Sequence, residues 1–275
     1  MAINPISSDA NLFKSLRSIN AGEKASSKTL ERLATGRNGN SSTNSASFAL
    51  GQELKGKIQV ASSLNKGLSG AGGSVSTSLA GVNALSDLSV EIEGKLFELA
   101  NGSNSEAQTN ILRNDVGNLL QQAQAFVSNS SFNEVNLLNS EASDVTVLAS
   151  ENGGNIVVES QSEVGDAVTA LQNTVADGTK IENPLAVIQN EFAVLKSSLS
   201  DASSSLAGAQ RSIDGRQDDL FNFEQLATEE LGGLVDADIA RETALSISQD
   251  VQSQLATQAF SVANSSTRSI LSLFK

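Results

Sequence analysis

Apolar residues recur every three or four positions along two long stretches of the chain, the spacing of one face of a helix. The first stretch runs from Ala46 to Ala100. The second begins after Asn183-Pro184, which suits an N-cap and a first helical position. It keeps a seven-residue repeat as far as Ala227, with Arg216 as its one polar position. Such a sustained repeat predicts two long helices that pack in coiled-coil fashion.

Shorter stripes of the same spacing flank these stretches. One lies near the N-terminus and ends at the turn-forming run 35–40, and another, from Leu112 to Phe126, follows the turn 101–105. A third extends from Ala240 to Val262 after Gly232-Gly233, which we expect to break the chain. Because the terminal stripes are amphipathic and set off by these breaks, we expect them to stay exposed in an isolated chain.

Between Asp144 and Val164 the apolar period changes from 3.6 to 2. Val145 and Val147 precede the turn-forming run 151–155, and Ile156, Val157 and Val158 follow it. This pattern predicts a β-hairpin that rests on the helices. The predicted fold class is therefore mainly α, an elongated antiparallel helical bundle or coiled coil with a small β-hairpin.

Composition removes most kinds of active site. The 275-residue chain has no Cys, His, Trp or Tyr, which excludes Cys/His zinc sites, thiol nucleophiles and His-based triads. Ser63 and Lys66 have the S-x-x-K spacing of some acyl-transfer enzymes, but the partner motifs are missing. We predict no catalytic, cofactor or metal site, and no enzyme activity.

The acidic clusters of the chain do not predict a metal site either. Asp214, Asp218 and Asp219 lack the ligand spacing of a calcium loop. Asp236 and Asp238 suit the start of the last helix, where carboxylates offset free N–H groups.

Charge is unevenly spread along the chain. Residues 1–37 carry a net charge of +3 and the remaining residues carry −16, which gives the chain its net charge of −13. A basic arm for nucleic acid or lipid is one interpretation, but interleaved apolar residues and an acidic body favour a solvated helix face. No run of 18 apolar residues and no cleavable signal peptide is present, so we expect neither membrane insertion nor a cleaved leader.

Several spaced motifs resemble bacterial flagellin. They lie in the same order in both: Met1 to Asn4, Leu30 to Gly36, Leu99 to Asn104, Phe132 to Leu138, Leu234 to Ala240, Ser261 to Asn264, and Ile270 to Lys275. The resemblance covers roughly residues 1–140 and 180–275.

The resemblance implies a structural subunit that polymerises into the flagellar filament for swimming motility. Its paired terminal helices would form a coiled-coil core domain from residues 1–42 and 231–275. Residues 43–230 would form a helical rod domain with the β-hairpin at about 144–164, and no sizeable variable outer domain is expected. The predicted self-assembly positions are Leu12, Leu16, Ile19, Leu30, Leu33, Ile247, Val251, Leu255, Val262, Ile270, Leu273 and Phe274.

The resemblance also implies partners and a location. Other subunits form the homopolymer, the export apparatus and an export chaperone bring the chain out of the cell, and cap and hook-associated proteins contact the filament. Where the family commonly has two Arg and a Leu that contact an innate immune receptor, this chain has Glu91, Glu93 and Lys95.

Two alternatives remain open. A hook-filament junction protein shares the terminal pattern but does not polymerise indefinitely. A coiled-coil binding module would instead form soluble dimers.

Overall fold

A computed structural model of the chain describes residues 6–38, 45–176 and 183–272, and its side chains are described for 13–38, 45–175 and 183–262. The fold is mainly helical with two short antiparallel strand pairs, which confirms the predicted fold class. The elements are α1 (Ile6–Thr35), α2 (Ser45–Leu99), α3 (Glu106–Asn129), β1 (Ser131–Phe132), β2 (Val135–Asn136), β3 (Val145–Leu148), β4 (Asn155–Val158), α4 (Ser162–Ala176), α5 (Pro184–Val187), a π-helical turn (Ile188–Phe192), α6 (Ala193–Val235) and α7 (Ile239–Ser272).

The chain divides into two compact units. One comprises residues 58–225, here called the central unit, and the other comprises residues 1–57 and 226–275, here called the terminal unit. The apolar stripes of α2 and α6 form the core of the central unit, where Leu68, Val75, Leu206 and Ile213 are fully buried. Most periodic apolar positions of both long helices are therefore core positions, whereas Phe223 of α6 is 40% exposed.

Side-chain hydrogen bonds show that α2 and α6 run antiparallel in the central unit. Gln217 Nε2 donates to Ser69 Oγ at 2.8 Å, and Ser76 Oγ donates to Gln210 Oε1 at 3.2 Å. The predicted N-cap is also present, since the Asn183 side chain accepts from the backbone N–H of Ala186 ahead of Pro184.

The predicted hairpin is present as β3 paired antiparallel with β4, and Val145 is opposite Val158. Arg216, the polar exception in the repeat of α6, donates from Nε to the carbonyl oxygen of Ala149 at 2.5 Å. Its guanidinium therefore ties the hairpin to α6, which gives this polar residue a structural role on an otherwise apolar face.

Residues 131–176 contain three elements that the sequence pattern did not predict, namely β1, β2 and α4. The strands β1 and β2 are joined by Asn133 and Glu134, which both have positive φ. The strand pattern was also extended too far, because Val164 belongs to α4. Gly165 of α4 lies against the backbone of the loop between β2 and β3. A Cβ at this position would come within 2.6 Å of the Leu138 carbonyl oxygen. Glycine thus allows α4 to lie directly on that loop.

The expected break at Gly232-Gly233 is wrong. Helix α6 continues through both glycines and ends at Val235. Each glycine costs only about 1 kcal/mol relative to alanine in a helix interior, so the rest of a long helix tolerates two of them.

Candidate assembly surface of the terminal helices

The terminal unit pairs the first helix with the last one. A short antiparallel bridge brings the two segments together, since Asn38 N donates to Val235 O at 2.7 Å and Ala237 N donates to Gly36 O at 2.9 Å. Asp238 then caps α7 by accepting from the backbone N–H of Arg241 at 3.1 Å. This is the helix-start role predicted for Asp238.

Helices α1 and α7 contact each other through a strip of mostly small and polar side chains, here called the seam. On α7 its positions are buried or half-buried and advance by steps of three or four: Glu242, Ser246, Gln249, Ser253, Ala256 and Phe260. On α1 the corresponding positions are Ser15, Ile19, Gly22, Ser26, Thr29 and Leu33. Few large apolar side chains hold this helix pair together.

The most buried residues of the seam are polar. Thr29 is 3% exposed and Glu242 is 5% exposed. One Glu242 oxygen, Oε1, lies 3.1 Å from an Arg32 guanidinium nitrogen, Nη1. The other, Oε2, has no hydrogen-bond partner among the described residues. An ion pair of this kind, buried on the Glu242 side and one-third exposed on the Arg32 side, is best suited to fixing which turns of two helices face each other.

The pair predicts an asymmetric response to mutation. Arg32→Ala is expected to destabilise the α1–α7 pair by about 3 kcal/mol, because it leaves a buried carboxylate without its cation. Glu242→Gln is expected to cost clearly less, because the neutral amide is cheaper to bury and Arg32, one-third exposed, remains solvated. Thermal unfolding followed by circular dichroism measures both. Equal losses in the two variants would contradict the role of the buried carboxylate.

The apolar stripe of α7 faces away from the seam. At about 100° per residue, its members lie about 120–160° around the helix from Gln249. They are 50–63% exposed: Ile247, Val251, Leu255 and Val262. Large apolar side chains that are this exposed in one row are typical of a surface that another molecule covers.

The predicted positions of α1 divide into two groups. Leu16 and Leu30 are exposed, by 44% and 52%, whereas Ile19 and Leu33 are half-buried in the seam. The remaining predicted positions lie outside the described side chains, namely Leu12 and Ile270, or outside the described residues altogether, namely Leu273 and Phe274.

Sequence reasoning missed Thr29, Arg32 and Glu242. The signal was the run of polar positions at Glu242, Ser246 and Gln249, which has the same spacing as the apolar stripe on the opposite side of α7. The ion pair of Glu242 with Arg32 joins residues that are 210 positions apart, and no local sequence pattern specifies such a contact.

Other groups that the sequence singled out have ordinary local roles. Ser63 Oγ donates to the Gln59 carbonyl oxygen of its own helix, and Asp214 accepts from Gln210. Among the described residues, no three His, Cys, Asp or Glu side chains are grouped so that they could hold a metal ion. In the same part of the chain, no helix has both the length and the apolar composition needed to cross a membrane.

Two positions of the stretch 91–95 form ion pairs within the chain. Lys196 Nζ lies 3.1 Å from Glu93 Oε2, and Lys95 Nζ lies 3.0 Å from Glu98 Oε2. The hydrogen bond to Glu98 raises the pKa of Lys95, because the bond is made by the charged ammonium group.

Comparison with known proteins places this architecture in a family. The model of the bacterial flagellin N-terminal helical region matches residues 6–143. Flagellin FljK of Caulobacter vibrioides is 25% identical over all of both chains. The flagellin of Brucella melitensis is 28% identical over 98% of this chain and 99% of its own.

Solved structures give weaker likenesses. The crystal structure of Bacillus cereus flagellin covers 52% of this chain and 88% of its own, with 17% identity and a TM-score of 0.36. A candidate flagellar hook-associated protein from Vibrio parahaemolyticus covers 71% and 97%, with 14% identity and a TM-score of 0.46. The family model extends over half of the chain, and the curated relatives match nearly all of it. The chain therefore belongs to the bacterial flagellin family and is a structural subunit of the flagellar filament.

Proposed function

We propose that this flagellin polymerises by burying the apolar stripes of its terminal helices between neighbouring subunits. The observation that carries the proposal is the orientation of α7, which turns polar residues toward α1 and Ile247, Val251 and Leu255 outward. Leu16 and Leu30 extend the uncovered apolar surface on α1. A second subunit is the partner that covers these side chains.

The free energy for assembly comes from removing these side chains from water. A fully buried Leu, Ile or Val contributes about 1.5–3 kcal/mol. Six of the predicted self-assembly positions are exposed in the described part of the terminal unit: Leu16, Leu30, Ile247, Val251, Leu255 and Val262. Together they offset the entropy lost when the terminal helices become fixed in a polymer. Leu12, Ile270, Leu273 and Phe274 are assigned the same role from the sequence.

We assign the two ends of the chain to the filament core and the middle to the layer around it. The proposed limits are 1–42 with 231–275 for the core domain and 43–230 for the rod domain. Two features support this division. The terminal unit contains both ends, and a turn of six residues joins β3 to β4, which leaves no room there for an outer domain.

The remaining partners follow from membership of the family. The chain would leave the cell through the flagellar export apparatus without losing its N-terminus, and an export chaperone would hold the C-terminal helix until then. In the extracellular filament it would contact other subunits, the cap and the hook-associated proteins. The exposed stripe of α7 is the surface that a chaperone would have to cover before assembly.

Seeded polymerisation tests the proposed function. Purified chain added to short filament fragments is expected to give long filaments in electron microscopy, because every added subunit exposes a fresh copy of the same surface. A hook-filament junction protein would give short capped fragments, and a coiled-coil binding module would give soluble dimers. Either result would contradict the proposal.

A further inference from the structure

One face of α1 carries a row of positive charge. Lys14, Arg17, Lys24 and Lys28 are spaced by three, seven and four residues, which places them on one side of the helix. All four are exposed. We call these four side chains the basic face.

Among the described acidic side chains of α1 and α7, only Glu31, three residues after Lys28, lies beside the basic face. None of its four cations forms an ion pair with any described side chain. Lys14 and Arg17 are three residues apart, and Lys24 and Lys28 are four apart, so neighbouring like charges oppose helix formation. A negatively charged partner would remove this repulsion.

A complementary acidic surface lies on another side of the same helix pair. A hollow lies between α1 and α7. It is lined by the small residues Gly22, Ser26 and Ser253 and by Leu30. Glu23 and Asp250, both exposed, also line it. A Cβ added at Gly22 would meet no atom of this chain within 4 Å, so the hollow is open space. We call it the acidic hollow.

The two surfaces cannot meet within one chain. At about 100° per residue, the four cations lie about 100–180° around α1 from Glu23. A contact between the basic face and an acidic hollow must therefore join two copies. Because the two patches differ, each bound copy keeps one of each free, and such a head-to-tail contact continues into an open polymer.

We propose that the basic face of α1 docks into the acidic hollow of a second copy and sets the position of neighbouring subunits. The proposal rests on the proposed polymerisation and adds a charged contact to it. Lysine suits the fit, since its apolar stem can lie along Leu30 while the ammonium group reaches the carboxylates of Glu23 and Asp250.

Reciprocal charge reversal tests this contact in the full-length chain. One variant carries Lys24→Glu and Lys28→Glu, and the other carries Glu23→Lys and Asp250→Lys. Each alone is expected to slow seeded elongation by about tenfold or more, because like charges would face each other between copies. An equimolar mixture is expected to recover most of the rate, since each altered patch then meets its match on the other variant.

A steric variant tests the hollow without changing charge. Gly22→Leu is expected to slow elongation because it fills the space that a neighbouring lysine would enter. Its own helix should not suffer, since leucine has a higher helix propensity than glycine and meets no chain atom at Cβ. Because Gly22 is also a seam position, unchanged helical content and unchanged thermal unfolding by circular dichroism check that the α1–α7 pair is intact.

The control is Lys66→Glu with Arg211→Glu, two exposed cations of the central unit that change the net charge equally. This control should elongate at close to the wild-type rate. If it slows as much as the basic-face variant, or if the equimolar mixture stays as slow as its components, the proposed contact is wrong. Failure of the wild-type chain to elongate would instead overturn the proposed polymerisation itself.

Discussion

A chain that ends at Gly233 is expected to form no filaments, even on added filament fragments. The truncation removes α7 with its outward stripe of Ile247, Val251 and Leu255, and it leaves α1 without a partner along the seam. A chain that begins at Arg37 should fail in the same way, because α1 and the exposed Leu16 and Leu30 are lost. Electron microscopy of seeded samples measures the outcome.

The control for both truncations is the central unit, which has a core of its own in residues 58–225. Its helical signal and its thermal unfolding should persist in both truncated chains. Normal filaments from either truncated chain would show that the terminal helices are not needed for polymerisation.

Charges placed in the stripe of α7 should block assembly while leaving the isolated chain intact. Val251→Asp with Leu255→Asp is expected to slow seeded elongation by about a hundredfold, since two carboxylates would be buried without partners between subunits. In the free chain both positions are exposed, so helical content should not change. Light scattering during seeded growth gives the rate.

The matched control introduces the same two charges elsewhere on α7. Gln252 and Thr257 are exposed and lie on either side of the seam, off the apolar stripe. The variant Gln252→Asp with Thr257→Asp should grow much faster than the stripe variant. Equal inhibition by both variants would mean that net charge, and not burial of the stripe, governs growth.

Regular elements with a long repeat were predictable from the sequence. Leu68 and Ile213 lie at positions that the spacing of three or four residues assigned to an apolar face, and both are fully buried. The β3–β4 hairpin was predictable too, because Asn152, Gly153 and Gly154 favour the required turn between two valine-rich segments. Dense local signals of this kind need no knowledge of distant contacts.

Short elements were not predictable in this way. The turn between β1 and β2 uses Asn133 and Glu134, and glutamate is a poor indicator of positive φ. Helix α4 has the helical spacing of Val164, Val168 and Leu171, but it begins only four residues after the strand β4 and was merged with the strand pattern. Contacts between segments, more than local preference, determine where these elements begin and end.

In the candidate assembly surface, too, one part could be predicted from the sequence and another part could not. The stripe of α7 could be predicted from Ile247, Val251 and Leu255 alone. Which side of α7 would face α1 could not, because that choice depends on the Arg32–Glu242 ion pair and on small residues of both helices. The wrongly expected break at Gly232-Gly233 has a similar origin, since a helix of 43 residues outweighs two unfavourable positions.

The seam consists mostly of polar and small side chains, so little apolar surface becomes exposed to water when α1 and α7 separate. The two terminal helices can therefore part at modest cost, because Ser26 and Ser253 form hydrogen bonds with water as readily as with protein. A subunit that leaves the cell by the proposed export route would gain from this, because α1 and α7 could separate for export and pair again in the filament. In the proposed filament, contacts with neighbouring subunits would then hold the two helices together.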